Sequence, residues 1–228
     1  HDDEKRQLRG LVETFDHTTI SQLATFEAVT VHDVKAVEYL IKESLSQIGA
    51  DDLSELVHFC CTSEDINNLS YAVGLKGAIE NVWLPRARTL IDTLAQMAED
   101  LADTPMLSHT HGQPATPSTM GKEFAVFVHR LARQYRRIEN TEYLGKINGA
   151  TGTYAAHTVA APGVDWPHVA QTFVEKLGLT FNPLTTQIES HDFQAELYAD
   201  LARFNRIAHN LATDMWTYIS MNYFIQIP

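Results

Sequence analysis

The sequence predicts an all-α protein: a bundle of long helices, preceded by part of a smaller helical domain. Three observations predict it. Apolar residues recur at helical spacing over segments of four turns or more, period-2 strand patterns are scarce, and only three irregular stretches interrupt the pattern. Those stretches, 103–118, 145–165 and 178–192, are rich in Gly, Pro, Thr and Asn. Loops held on a rigid helical frame are where binding and catalysis concentrate.

The region before residue 50 is more polar, so residues 1–50 are read as the end of an N-terminal helical domain. Residues 51–228 are read as the first part of a central helical bundle, with the boundary placed loosely at 45–55. Within TVHDVKAVEYL (30–40), Val31, Val34, Val37 and Leu40 keep helical spacing, and His32 and Asp33 stand at the start. Asp33 complements the helix dipole there, and His32 by itself reads as an exposed polar residue. In CTSEDINNLSYA (61–72), Thr62 followed by Asp65 matches a capping box with Asp in the place of Glu. That stretch supports two readings: a plain helix start, or an anion site in which Thr62 and Ser63 add hydroxyls to free helix N–H groups.

Farther along, Leu84, Ala87, Leu90, Ile91, Leu94, Ala98 and Leu101 form one apolar stripe. LSHTHGQPATPSTMGKE (107–123) then breaks the pattern, because Gly112 is permissive and Pro114 pushes Gln113 toward extended geometry. Thr116 before Pro117 predicts the N-cap of the next helix, with His109, Thr110 and His111 on the loop before it. Its stripe is Phe124, Phe127, Val128, Leu131, Tyr135 and Ile138, with Arg130, Arg133 and Arg137 on a solvated surface. A last stripe runs Leu197, Leu201, Phe204, Ile207, Leu211, Met215, Tyr218. His109 and His111 could be metal ligands, but no HExxH or CxxC supplies the rest of a zinc set, so no metal is expected. A histidine that titrates near neutrality is the better proton donor or acceptor. His58, His129, His157, His168 and His209 carry no distinguishing pattern.

The formal net charge of −12 argues against nucleic acid or an anionic membrane as the main partner, and leaves anionic small molecules open. No apolar run approaches the ~20 residues of a membrane span, and no signal-peptide pattern is visible. Cys60 and Cys61 are adjacent, so a disulfide between them would be strained and a reduced, cytoplasmic setting is expected.

Taken together, VHDVKAVEYLIKE (31–43), HFCCTSEDINNLSYA (58–72), LSHTHGQPATPSTMGKE (107–123), LGKINGATGTYAAH (144–157) and NPLTTQIESHDFQAEL (182–197) resemble the adenylosuccinate lyases of the fumarase/aspartase superfamily. The resemblance implies a long-helix bundle of the fumarase/aspartase type and a homotetramer with shared active sites. It implies cleavage of adenylosuccinate to AMP and fumarate, and of the succinocarboxamide ribotide of purine synthesis to its carboxamide and fumarate. Both are acid–base β-eliminations without a cofactor. His111 would be the acid that protonates the leaving nitrogen. Thr62 and Ser63 would bind a substrate carboxylate or phosphate, and His32 and Asp33 would meet the nucleotide end. Gln187 would bind substrate, with Lys146 and Asn148 lining the same pocket. Argininosuccinate lyase, or another fumarate-releasing member of the superfamily, is the alternative.

The sequence departs from the resemblance in three places. Val31 stands where the family often has Asn or Arg, and valine donates no side-chain hydrogen bond. No methionine is followed by proline, so the mobile S-S-x-M-P loop that brings the serine base is absent, as is an N-terminal Arg-Tyr pair. The 228 residues are therefore expected to be a piece of a longer chain, inactive alone and at most a helical assembly module.

Overall fold

The computed structural model describes residues 2–225 and 227, with side chains from residue 5 onward; His1, Gln226 and Pro228 lie outside the described residues. Nine α-helices dominate the described chain: α1 (Asp2–Glu13), α2 (His17–Thr30), α3 (Asp33–Gln47), α4 (Ser63–Ala78), α5 (Leu84–Asp100), α6 (Met120–Glu139), α7 (Ala155–Ala160), α8 (Trp166–Lys176) and α9 (Asp192–Ser220). Four short strands accompany them: β1 (Pro105–Thr110), β2 (Gln113–Thr119), β3 (Leu144–Gly145) and β4 (Thr180–Phe181). Among the described residues no helix is long and apolar enough to cross a membrane.

The chain forms two compact units, residues 1–73 with 144–190, and residues 74–143 with 191–228. The boundary expected near residue 50 falls inside the first unit, because residues 144–190 return to complete it. Its core joins Val34, Ala36 and Leu45 of α3, Leu69 and Ala72 of α4, and Ala170 and Val174 of α8, all buried. β3 and β4 pair in parallel. Gly145 in β3 has no side chain because a Cβ there would sit 2.6 Å from Leu69 Cδ2.

One expectation in this unit is corrected. Val31 does not open a helix; it closes α2 in the left-handed conformation, with φ 51°, and is 88% exposed. His32 is the N-cap of α3, which begins at Asp33. The apolar period across 31–40 bridges two helices, and a spacing argument cannot see the left-handed residue between them. A β-branched residue in that conformation is strained, since its Cβ crowds the following carbonyl.

The second unit is a helical bundle in which α5 packs on α6 and α6 on α9. The sequence stripes supply the interfaces. Ala87, Ile91 and Leu94 of α5 are buried, as are Phe124, Phe127, Leu131, Tyr135 and Ile138 of α6 and Leu197, Phe204 and Ile207 of α9. Trp83 meets Phe204 edge-on at 4.9 Å, and the Arg88 guanidinium lies 4.2 Å over the Tyr135 ring. Arg133 and Arg137 are exposed as expected. Arg137 reaches Asp200 at 2.8 Å, a solvent-facing pair of small energetic weight. A π-helical turn at Ile79–Trp83 joins α4 to α5. Pro85 follows one residue after it, beyond Leu84; proline has no N–H and crowds the carbonyl four residues back, so a wider turn accommodates it.

The stretch expected to be a loop is a β-hairpin. β1 and β2 pair antiparallel from Pro105↔Thr119 to Thr110↔Gln113, with a bulge between Leu107 and His109. His111 (φ 52°) and Gly112 (φ 76°) form the two-residue connection. Positive φ at both central residues is what a type I′ hairpin turn demands, and it explains the glycine. Pro114 and Pro117 are tolerated because a two-stranded ribbon consists only of edges. The hairpin escaped a period-2 reading because neither strand has a buried face: Met106 is the one buried residue of β1 and β2. The cap moves accordingly. Thr119, not Thr116, is the N-cap of α6, its hydroxyl accepting from Lys122 N at 3.3 Å.

Two substitutions test this account. Val31→Asn should raise the unfolding midpoint of the complete protein, recovering about 1 kcal/mol of left-handed strain, as measured by thermal or urea denaturation. Gly121→Ala should do the reverse. Its Cβ would press on the Ala98 carbonyl and lie 2.7 Å from Ala102 Cα, forcing α6 from α5. Overpacking of this kind costs about 1–3 kcal/mol, and an unchanged midpoint would contradict the close helix approach.

Candidate functional site

The start of α4 gathers most of the polar residues singled out in the sequence. The capping expectation is met in its carboxylate half: Asp65 Oδ2 accepts from Thr62 N at 2.9 Å. Asp65, the third residue of α4, thus satisfies an N–H ahead of the helix. Around this terminus, Ser63 Oγ lies 3.1 Å from His32 Nε2, and Gln187 Nε2 donates to Thr62 Oγ1 at 3.3 Å. His32 Nδ1 lies 3.2 Å from Asp33 Oδ1 and 3.4 Å from Lys35 N. A hydroxyl donates and accepts, so Ser63 pairs with His32 in either tautomer. His32, Asp33 and Gln187 are exposed, and Thr62 and Ser63 half-buried. The first unit thereby presents two hydroxyls, an imidazole and a carboxamide at a helix N-terminus. Hydroxyl and N–H donors at the positive end of a helix dipole are the chemistry that suits an anion.

Beneath it lies a buried charge pair. Asp65 and Lys146 are both fully buried, with Nζ 2.8 Å from Oδ1. The same carboxylate accepts from Asn148 N at 3.0 Å and from Gly149 N, which reaches Oδ2 at 3.1 Å. Asn68, one turn farther on the same face of α4, completes the junction. Its Oδ1 accepts from Lys146 N at 2.9 Å and its amide donates to Lys146 O at 3.1 Å. Lys146 is therefore not disposed as a residue that faces a ligand: its ammonium is directed at Asp65. Asn148 is also buried, its amide donating to Thr185 Oγ1 at 2.7 Å while its Oδ1 has no hydrogen-bond partner among the described residues.

The neighbourhood responds to this environment. Burial, reinforced by the Asp65 charge, pushes the Cys61 thiol up to about 11, so both free cysteines coexist without Cys61 being a ready nucleophile. Burial also lowers the pKa of His157, against the pull of Asp65, which favours its neutral form. His157 packs edge-on against Trp166 at 4.8 Å.

His111 belongs to the second unit, at the exposed tip of the hairpin. His109 lies two residues back on β1, its Nδ1 3.1 Å from Leu107 O. Tyr223, which no motif flagged, donates from its hydroxyl to Leu107 O at 2.7 Å. It ties the segment after α9 to the hairpin strand that leads to His111. The two are 116 residues apart, beyond the reach of any local pattern. Asp65 was visible, but only as the fourth member of T-S-E-D; its partners arrive from 146–149, and no spacing rule links the two stretches. Among the described residues no group of three or more His, Cys, Asp or Glu could hold a metal ion.

The model of the lyase family matches residues 2–227. The adenylosuccinate lyase of Escherichia coli (strain K12) is 50% identical over 220 residues, 96% of this chain and 48% of that protein. The adenylosuccinate lyase of Haemophilus influenzae is 47% identical, with the same two coverages. The chain thus spans about half the length of the relatives it matches. In fold it is similar to a fumarate lyase from Mesorhizobium sp. BNC1, with a TM-score of 0.79, 22% identity, and coverage of 95% of this chain and 49% of that one. It is also similar to a 3-carboxy-cis,cis-muconate lactonizing enzyme from Pseudomonas putida, with a TM-score of 0.69, 25% identity, and coverage of 84% and 42%. With its helical bundle and a family match over nearly its whole length, the chain belongs to the lyase family.

Proposed function

We propose that the complete protein cleaves adenylosuccinate to AMP and fumarate, and the succinocarboxamide ribotide of purine synthesis to its carboxamide and fumarate. The observation that carries the proposal is the 50% identity over 220 residues with an adenylosuccinate lyase. The gathering of His32, Thr62, Ser63 and Gln187 at the start of α4 gives that likeness a chemical basis. A dianionic succinyl group and a nucleotide phosphate both need donors of this kind.

In the proposed elimination a base outside these 228 residues removes the proton beside a carboxylate. Negative charge spreads onto that carboxylate, where Thr62, Ser63 and the N-terminus of α4 hold it. His111 then gives its proton to the departing nitrogen as the C–N bond breaks. His32, Asp33 and Gln187 are assigned to substrate binding, with Asn148 and Lys146, both buried, acting from below. We further propose a cytoplasmic homotetramer whose chains share active sites. The exposed apolar residues Tyr198, Trp216 and Ile219 on α9 support association.

The direct test is fumarate release by the complete protein. Turnover of adenylosuccinate is expected, and turnover of argininosuccinate in its place would overturn the substrate assignment. His111→Asn is the sharper variant, because asparagine tolerates the left-handed turn position and keeps the hairpin while removing the acid. Loss of a general acid costs about 10²–10⁴-fold in rate. A kcat within twofold of the parent protein would remove His111 from the mechanism.

A further inference from the structure

Asp65 accepts from more donors than a helix cap needs. One oxygen of an exposed carboxylate suffices to satisfy the Thr62 N–H, yet Asp65 is fully buried and most of its hydrogen bonds run to residues 146–149. From this geometry we infer that Asp65, with Lys146, is a positioning residue for anion binding: it fixes the Thr62–Ser63 terminus of α4 against the 146–149 loop so that the Thr62 and Ser63 hydroxyls converge on one substrate anion. The inference rests on the anion-binding reading of Thr62 and Ser63.

Three features support it. The carboxylate bridges the junction: Oδ2 holds Thr62 N together with Gly149 N, and Oδ1 holds the Lys146 ammonium and Asn148 N. On one side Thr62, which it anchors, belongs to the outer surface, its Oγ1 accepting from exposed Gln187; on the other the buried Asn148 amide is braced by Thr185. The pairing also reduces an electrostatic conflict. The first turn of α4 carries two carboxylates, Glu64 and Asp65, which would repel any anion brought to that terminus, and the Lys146 ammonium cancels the Asp65 charge without being exposed itself. Asp65 cannot contact substrate, so its effect must pass through the residues it holds.

Steady-state kinetics on Asp65→Asn in the complete protein test the inference, because the competing roles move KM in different directions. Positioning predicts a KM for adenylosuccinate raised on the order of 10–100-fold, with kcat within about threefold. A purely electrostatic role predicts a lower KM, since the variant leaves the Lys146 charge beneath the anion. A merely structural role lowers the melting temperature and the active fraction and leaves KM alone. Either of the last two results overturns the inference. Inhibition by the separate products, fumarate and AMP, tells which anion is held, through whichever inhibition constant rises with KM. If the single variant does not fold, Asp65→Asn/Lys146→Met removes both buried charges together and is held to the same KM criterion. Thr62→Ala in parallel separates the two layers. A raised KM in Thr62→Ala with an unchanged KM in Asp65→Asn defeats this inference alone, whereas an unchanged KM in Thr62→Ala defeats the anion-site reading beneath it.

Discussion

The first unit is organised around a carboxylate that has no access to water. A buried ion costs several kcal/mol to desolvate, and the cost is offset only when an opposite charge and enough hydrogen bonds surround it. Asp65 is provided with both: an ammonium at 2.8 Å and backbone donors from Thr62, Asn148 and Gly149. This requirement shapes the surroundings. The loop must bring successive N–H groups to one point, which turns the backbone at Gly149 to a φ of 80°. Lys146 must extend inward, so Asn68 secures its backbone on both sides. Networks satisfied on every side are rigid, and leaving one member unpaired costs about 3–5 kcal/mol. Rigidity at this place is useful, because the groups immediately above it are the hydroxyls and amides of the proposed anion site.

The second unit meets a different constraint. Its helices have continuous apolar stripes and pack by interlocking side chains, down to an approach at Gly121 that excludes even a methyl group. The hairpin between α5 and α6 is the one part of that frame with almost no core of its own. It is held by its ladder, by Met106 and by the Tyr223 hydroxyl on Leu107 O. A proposed proton donor at the tip of such a ribbon is solvent-exposed in this unit, while its backbone is defined by the two-residue turn.

Legibility in the sequence followed the range of the forces involved. The long helices were readable because burial repeats every three to four residues, and α5, α6 and α9 bury the central residues of their stripes, although Leu90 is exposed and the stripe ends are half-buried. Capping was readable where the partner sits within one turn, as at Thr62 and Asp65. The hairpin was not, since two exposed strands leave no alternation to detect, and its prolines suggested only that a helix had ended. Nor was the left-handed Val31, because apolar spacing runs through it unchanged. At the candidate site, the family resemblance named His32, Thr62, Ser63 and Gln187, which the fold brings together in one unit. The opposite holds for Lys146: the sequence marked it as polar and pocket-lining, but only the fold reveals the buried carboxylate that takes up its charge.

The pairing of Asp65 with Lys146 also bears on how the chain acquires its structure. The two residues are 81 positions apart, and the second unit's residues 74–143 are made between them. At typical synthesis rates of about 5–20 residues per second, α4 waits roughly 4–16 s for the lysine that pairs with Asp65. Until then its acidic start must stay hydrated, so the first unit cannot close early around the wrong partner. Closure of that long loop costs entropy that no local contact repays. The charge pair therefore ties completion of the first unit to delivery of the 146–149 segment, and makes its folding a late, non-local event.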